Sequence, residues 1–162
     1  MVLKPTRPVP RGCAQGFIAG RYKVEPEDFV VDELPAYEPS GKGEHLWLWI
    51  EKRSLATLDL LDRIGRALDL DPRAIGVAGL KDARSVSRQW VSVQDVRDDE
   101  VGGLGDDNFR VLLHRRHDNK LKMGHLRGNR FAITLRGTAP GDVEKAAANL
   151  QELQRTGVPN YF

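Results

Sequence analysis

The stretch from residue 45 to residue 70 constrains the fold more than any other, because its hydrophobic period changes once, over a short connection. From 45 to 52, Leu46, Leu48 and Ile50 alternate with His45, Trp47, Trp49 and Glu51, which puts the aliphatic side chains on one face of a strand. The turn Ser40-Gly41-Lys42-Gly43 precedes it. From 57 to 70 the spacing becomes three and four. Leu61, Ile64 and Leu68 then share a helical face, and Thr57 is placed to cap the first turn.

The remaining patterns are shorter. Phe29-Val30-Val31, between Pro26 and Pro35, reads as a strand. Asp71-Pro72 predicts a capped helical turn before a small-residue strand, Ile75-Gly76-Val77-Ala78-Gly79. Residues 81–88 have no apolar period and read as a loop, followed by a strand over 89–93. Residues 98–107, acidic and glycine-bearing, predict a surface loop. Extended stretches are expected at 109–113, 120–126 and 130–135. After Pro140-Gly141, Asp142 is expected to cap a helix with Val143, Ala146, Ala147, Leu150 and Leu153 on one face, ending at Gly157. Many strands, few helices and no regular alternation of the two predict an α+β fold with a mixed, largely antiparallel sheet flanked by helices.

At 162 residues, 40% hydrophobic and 30% charged, the chain can bury a core of its own. No run of 18 apolar residues exists, and residues 1–11 carry charges and three prolines where a signal peptide needs an apolar centre. The expectation is a cytoplasmic protein without a membrane partner. A single cysteine, Cys13, excludes an internal disulfide framework and a zinc site built from several cysteines, and its glycine-rich surroundings make it a poor nucleophile. His114, His117 and His125 match no zinc spacing and have cationic neighbours, so no metal is expected and they read as polar surface.

The net charge of +2 is unevenly spread. Between 109 and 136 stand Arg110, Arg115, Arg116, Lys120, Lys122, Arg127, Arg130 and Arg136, with Asp118 the one acid among them. Residues 1–24 add Lys4, Arg7, Arg11, Arg21 and Lys23 without an acid, whereas acids collect at 25–38 and 95–107. Such segregation fits a polyanionic partner, and equally a solvated charged face.

Two short runs carry candidate chemistry. In Gly79-Leu80-Lys81-Asp82 a small-residue strand delivers a carboxylate into a loop with Arg84, Ser85, Ser87 and Arg88, where neighbouring positive charge can hold it ionised as a nucleophile or base requires. Taken alone, the spacing suits a structural aspartate that caps a turn or pairs with Arg84 better. In Gly128-Asn129-Arg130-Phe131 an amide and an aromatic ring beside arginines can read and stack on an unpaired base. Alone, it suits a hairpin with a core phenylalanine better. Gly76-Val77-Ala78-Gly79 has the form of the backbone-clamping loop of KH domains, a pattern too short to carry weight. No phosphate-binding glycine loop or dinucleotide fingerprint is present, so no nucleotide cofactor is indicated.

Taken together, six runs stand in one order: Glu27-Asp28-Phe29-Val30-Val31-Asp32-Glu33; Gly43-Glu44-His45-Leu46; Gly79-Leu80-Lys81-Asp82 with Gln89-Trp90; Lys120-Leu121-Lys122-Met123-Gly124; Gly128-Asn129-Arg130-Phe131; and Gly157-Val158-Pro159-Asn160-Tyr161-Phe162. In that order and spacing the chain resembles the tRNA pseudouridine synthases of the TruD type, from about residue 22 to its last residue. The resemblance implies a cofactor-free enzyme that isomerises the uridine at position 13 of tRNA to pseudouridine, and a monomer is expected. It implies Asp82 as the catalytic carboxylate, with Phe29, Asn129 and Phe131 at the uridine and Lys81 as the lysine before the nucleophile. Lys23, Arg84, Arg115, Arg116, Lys120, Lys122, Arg127 and Arg130 are the expected RNA contacts.

Ala83 stands where the family commonly has a basic residue, and Ser85 and Ser87 replace its usual Ala and Thr. The family pattern also continues past Phe162 with a Gly-x-Gln-Arg-Phe-Gly run, an inserted domain and a return segment. The expected organisation is therefore an irregular arm over 1–16, the N-terminal part of a catalytic domain over 17–155, and the truncated start of an inserted domain over 156–162. Little or no turnover is expected of this length by itself, and the alternative is an inactive RNA-binding fragment.

Overall fold

The computed structural model describes Gly16 and residues 18–157. Most of the expected N-terminal arm, including Cys13, and residues 158–162 lie outside the described residues. The chain divides into two compact units, one of them Tyr22–Thr134 and the other formed by the residues that flank it.

The unit Tyr22–Thr134 is built on a seven-stranded sheet: β1 (Phe29–Pro35), β2 (His45–Arg53), β3 (Gly76–Val77), β4 (Val86–Gln94), β5 (Gly105–Asp106), β6 (Phe109–His117) and β7 (Leu126–Ile133). The order is β5-β6-β2-β4-β1-β7, with β3 beside β4. Only β1 and β4 pair in parallel, so the sheet is mixed and largely antiparallel, as expected.

The alternation in β2 decides where the core lies. Leu46, Leu48 and Ile50 are wholly buried against Leu60, Leu61 and Ile64 of helix α1 (Thr57–Leu68), with Val91 and Val93 of β4 beside them. Each such side chain contributes about 1.5–3 kcal/mol on burial. The other face of β2 is also covered, because Trp47 and Trp90 pack with Ala78 and Leu121 into a second cluster. His117, expected at the polar surface, is 8% exposed and sits edge-on to Trp47 at 4.6 Å, with Nδ1 accepting from the Ser40 N–H.

Several boundaries moved for local reasons. Ala56, not Thr57, is the N-cap of α1, and Thr57 is its first helical residue. The helix ends at Leu68 because Asp69 turns left-handed and the Leu70 N–H closes back on the Gly65 carbonyl at 2.8 Å. Asp71 does cap the short turn Pro72–Ala74, accepting from Arg73 N. The small-residue strand shrinks to β3. There a Cβ on Gly76 would stand 2.3 Å from Ser92 Oγ and 2.4 Å from the Leu121 carbonyl, so glycine is what lets the Leu121 segment close over β4. Residues 120–125 are therefore irregular rather than a strand, with buried Leu121 as a plug whose N–H donates to Ser92 Oγ. The 98–107 segment is not purely surface either, since Val101 and Leu104 enter the core.

In the flanking unit, α2 (Asp142–Thr156) starts one residue after Gly141, and Asp142 is its first residue rather than its cap; its carboxylate accepts from the Ala139 N–H at 2.8 Å. The expected apolar face is not packed as a core: Val143 and Leu150 are exposed, and the buried residues are Asp142 and Asn149.

Candidate active site

The site originates in how β4 shares one of its edges. β2 runs along the whole of one edge of β4, whereas β1 pairs only with residues 86–88 of the other edge and β3 only with 91 and 92. Between these two partners the backbone of β4 lacks a neighbouring strand, and the buried carboxylate of Glu33 fills the place: Oε1 accepts from the Trp90 N–H at 3.2 Å. Its other oxygen accepts from Lys81 Nζ at 2.6 Å, in a pair exposed by 4% and 1%. Residues 78–85 leave β3 at this opening and carry Asp82 across it.

The loop is held from below at the Lys81 and Asp82 peptides. Thr57 Oγ1 accepts from the Lys81 N–H at 2.8 Å and donates to Gln89 Oε1 at 3.0 Å. Buried Lys52 donates to the Asp82 carbonyl at 2.9 Å and to the Leu55 carbonyl at 2.5 Å, and Ser85 Oγ donates to the Asp82 carbonyl at 2.8 Å. Burial pulls the Lys52 ammonium down to about 8, with the charge of Lys81 adding to the shift and that of Asp82 opposing it. Backbone carbonyls satisfied this way cannot easily reorient, which holds the Asp82 side chain in place.

Above the loop the groups face solvent. The Asp82 side chain is 59% exposed and forms an ion pair with Lys23, whose Nζ also lies 4.0 Å from the centre of the Phe29 ring. Phe29 and Phe131, on neighbouring β1 and β7, approach to 5.8 Å with rings tilted by 56°. Together with Val31, Leu80, Lys81, Asp82 and Asn129 they line a pocket of about 220 Å³. Asn129 Oδ1 is buried there without a hydrogen-bond partner among the described residues. Unsatisfied buried acceptors are uncommon and mark places where a ligand completes the bonding. A larger hollow of about 370 Å³ beside β2 and β6 has its Glu51, Arg53, Asp106 and Arg110 already in ion pairs.

Asp82, Phe29, Asn129, Phe131 and Lys81, separated by up to 102 positions in sequence, are thus brought to one pocket. Lys81 contributes its backbone and stem, with its ammonium turned inward to Glu33. Lys23, expected at RNA, is the partner of Asp82. The basic stretch does not form one patch. Arg115 and Arg116 lie on β6, and Arg127 and Arg130 on β7, with three strands between them, roughly 19 Å at ~4.8 Å per strand. Arg116 is tied to Asp98, and Lys120 donates to the Arg73 carbonyl, whereas Arg84, Lys122, Arg127 and Arg130 are exposed. No group of three or more metal-ligating side chains occurs among the described residues, and no helix among them is long and apolar enough to cross a membrane.

Sequence reading missed Lys52, Glu33 and the bonding role of Thr57. The signal was present: Lys52 continues the inward series Leu46, Leu48, Ile50, and Glu33 shares a face of β1 with buried Val31.

An exposed carboxylate, two aromatic rings and a free amide acceptor on a rigid polar floor equip a site to hold a flat heterocycle against a nucleophile or base. The family model described as tRNA pseudouridine synthase D (TruD) matches residues 14–162, and the chain belongs to that family. It is 50% identical over 145 residues to the tRNA pseudouridine synthase D of Syntrophotalea carbinolica, covering 90% of this chain and 36% of that one. With the Geobacter metallireducens protein of the same name it shares 50% over 143 residues, covering 88% and 35%. A crystal structure assigned provisionally to tRNA pseudouridine synthase D of Methanosarcina mazei superposes with a TM-score of 0.84 at 29% identity, over 93% of this chain and 36% of that chain. The chain spans about a third of the length of the curated relatives it matches.

Proposed function

We propose that this chain carries the nucleophile-bearing part of a tRNA pseudouridine synthase, with Asp82 as the catalytic carboxylate. The observation that carries the reading is the meeting of Asp82 with Phe29, Asn129 and Phe131 around one base-sized pocket. Isomerisation requires that the bond from uracil N1 to ribose C1′ break, that the base turn while held, and that C5 bond to C1′ as its proton leaves. Asp82 adds to C1′ or removes the C2′ proton to give a glycal; both routes need an ionised carboxylate, and Asp82 stands in an ion pair with Lys23. Phe29 and Phe131 retain the freed base by stacking, and Asn129 Oδ1 accepts from an imide N–H. The reaction is redox-neutral, so no cofactor or metal is required by it.

The same reading takes the substrate to be uridine 13 of tRNA, bound in part through exposed Arg84, Lys122, Arg127 and Arg130, and the enzyme to be a cytoplasmic monomer. Support for the position comes from the six motifs in register. Phe131 and Ile133 lie on the edge strand β7 and are about half exposed, which favours little turnover by these 162 residues without further protein around the pocket. The test is pseudouridine formation in unmodified tRNA by the whole protein that contains this chain. Asp82→Asn is expected to lower the rate by at least about 10³-fold while tRNA affinity stays within about twofold. Retention of turnover in that variant would remove Asp82 from the mechanism.

A further inference from the structure

Lys52 is a charged side chain that the reaction as derived above does not use. It lies on β2 at the end of the aliphatic face, is 1% exposed, and donates to the carbonyls of Leu55 at 2.5 Å, Asp82 at 2.9 Å and Lys81 at 3.5 Å. Its cross-strand neighbours are Ser87 on β4 and Phe109 on β6, neither of them charged, and Thr57 opens the helix packed above it. The nearby acid Glu33 is bonded to Lys81. Lys52 therefore has no direct carboxylate partner among the described residues, an expensive way to bury an ammonium. An apolar side chain of the same length would suit the Leu46, Leu48, Ile50 series better if packing were the whole purpose.

We propose that Lys52 is a positioning residue for the catalytic loop: its ammonium grips the two peptides at Lys81 and Asp82 from beneath and sets positive charge under the Asp82 carboxylate. Lys23 approaches the same carboxylate from the solvent side, where substrate must enter. Burial, with the charge of Lys81, pulls the Lys52 ammonium down to about 8, and the charge of Asp82 opposes that shift.

This rests on the catalytic reading of Asp82 for its meaning but not for its first test. In the 162-residue chain, labelled at lysine Nζ, the Lys52 signal is expected to titrate near pH 8 and to move at least about 0.5 unit lower in Asp82→Asn, with the other lysines apart from Lys23 and Lys81 unmoved. An unchanged midpoint, or one at the ordinary lysine value, would overturn the coupling whether or not the protein makes pseudouridine. In the whole protein, single-turnover pseudouridine formation is expected to fall above about pH 8. Lys52→Met should lower kcat about 10–100-fold with KM for tRNA unchanged and no alkaline decline left. Lys52→Arg, which stays charged, should shift that decline upward if it folds. An alkaline decline of the same midpoint in Lys52→Met would refute the role even where the first test succeeds.

Discussion

The underside of the Asp82 loop and its upper side are built on opposite rules. Beneath, charges are buried and each polar group in the chain Glu33, Lys81, Thr57, Gln89, Lys52 is bonded to another part of the protein. Above, Asp82 and Phe131 are more than half exposed, and Asn129 keeps an oxygen unpaired. The difference teaches where rigidity is made and where it is used. A floor of mutually bonded groups fixes the loop, and the unpaired Asn129 oxygen leaves bonding capacity for a ligand.

This contrast predicts that breaking the buried Glu33–Lys81 pair costs stability, whereas rim substitutions cost activity. The largest effect is expected of Glu33→Ala, which strands the Lys81 ammonium and the Trp90 N–H in the interior. Loss of one partner of a buried pair costs about 3–5 kcal/mol, readable as a lower urea midpoint. A loss below about 1 kcal/mol would mean that the floor is not the source of rigidity.

The next effect depends on pH. Folded Lys52 titrates near 8 and an unfolded lysine at 10.5. Below pH 8 both states hold the proton, and the native state carries the cost of a buried charge. Between about 8 and 10.5 the unfolded chain binds the extra proton, so this residue's share of stability rises with pH through that window, by about 1.4 kcal/mol per unit at most. Comparing urea unfolding of the wild-type chain and Lys52→Met at pH 7 and pH 10 isolates the rise, which the variant should lack. Activity is expected to fall over the same window, so stability and turnover move in opposite directions. The smallest stability effect belongs to the rim: Phe131→Ala, about half exposed, should change unfolding by less than about 0.5 kcal/mol. The same substitution should weaken uridine retention by about 1–3 kcal/mol of stacking, seen as roughly 5–150-fold in kcat/KM.

Much of the fold was legible because it rests on local period. The alternation over 45–52 and the helical spacing that follows it predicted β2, α1 and the aliphatic face between them, and the structure has all three. The capped turn at Asp71-Pro72 was equally local. What failed was set by distant contacts. Leu121 reads like a strand residue, yet it is a plug whose N–H is taken by Ser92, 29 positions away. Val143 and Leu150 read like a core face, yet both are exposed. The basic run from 109 to 136 is continuous in sequence, but three strands separate its halves.

The sequence by itself determined the elements, the inward side of β2 and, through six motifs in register, the family and the residues around its pocket. Only the tertiary structure decided which cation serves Asp82. Lys23, Lys52 and Lys81 are alike as letters, but one meets the carboxylate from solvent, one holds its peptide from below, and one is turned away to Glu33. The physical reason is that a lysine's role depends on which oxygen its ammonium meets and on how much water remains there. For Lys81 both are settled by the opening that β1 and β3 leave along the edge of β4, where Glu33 is buried.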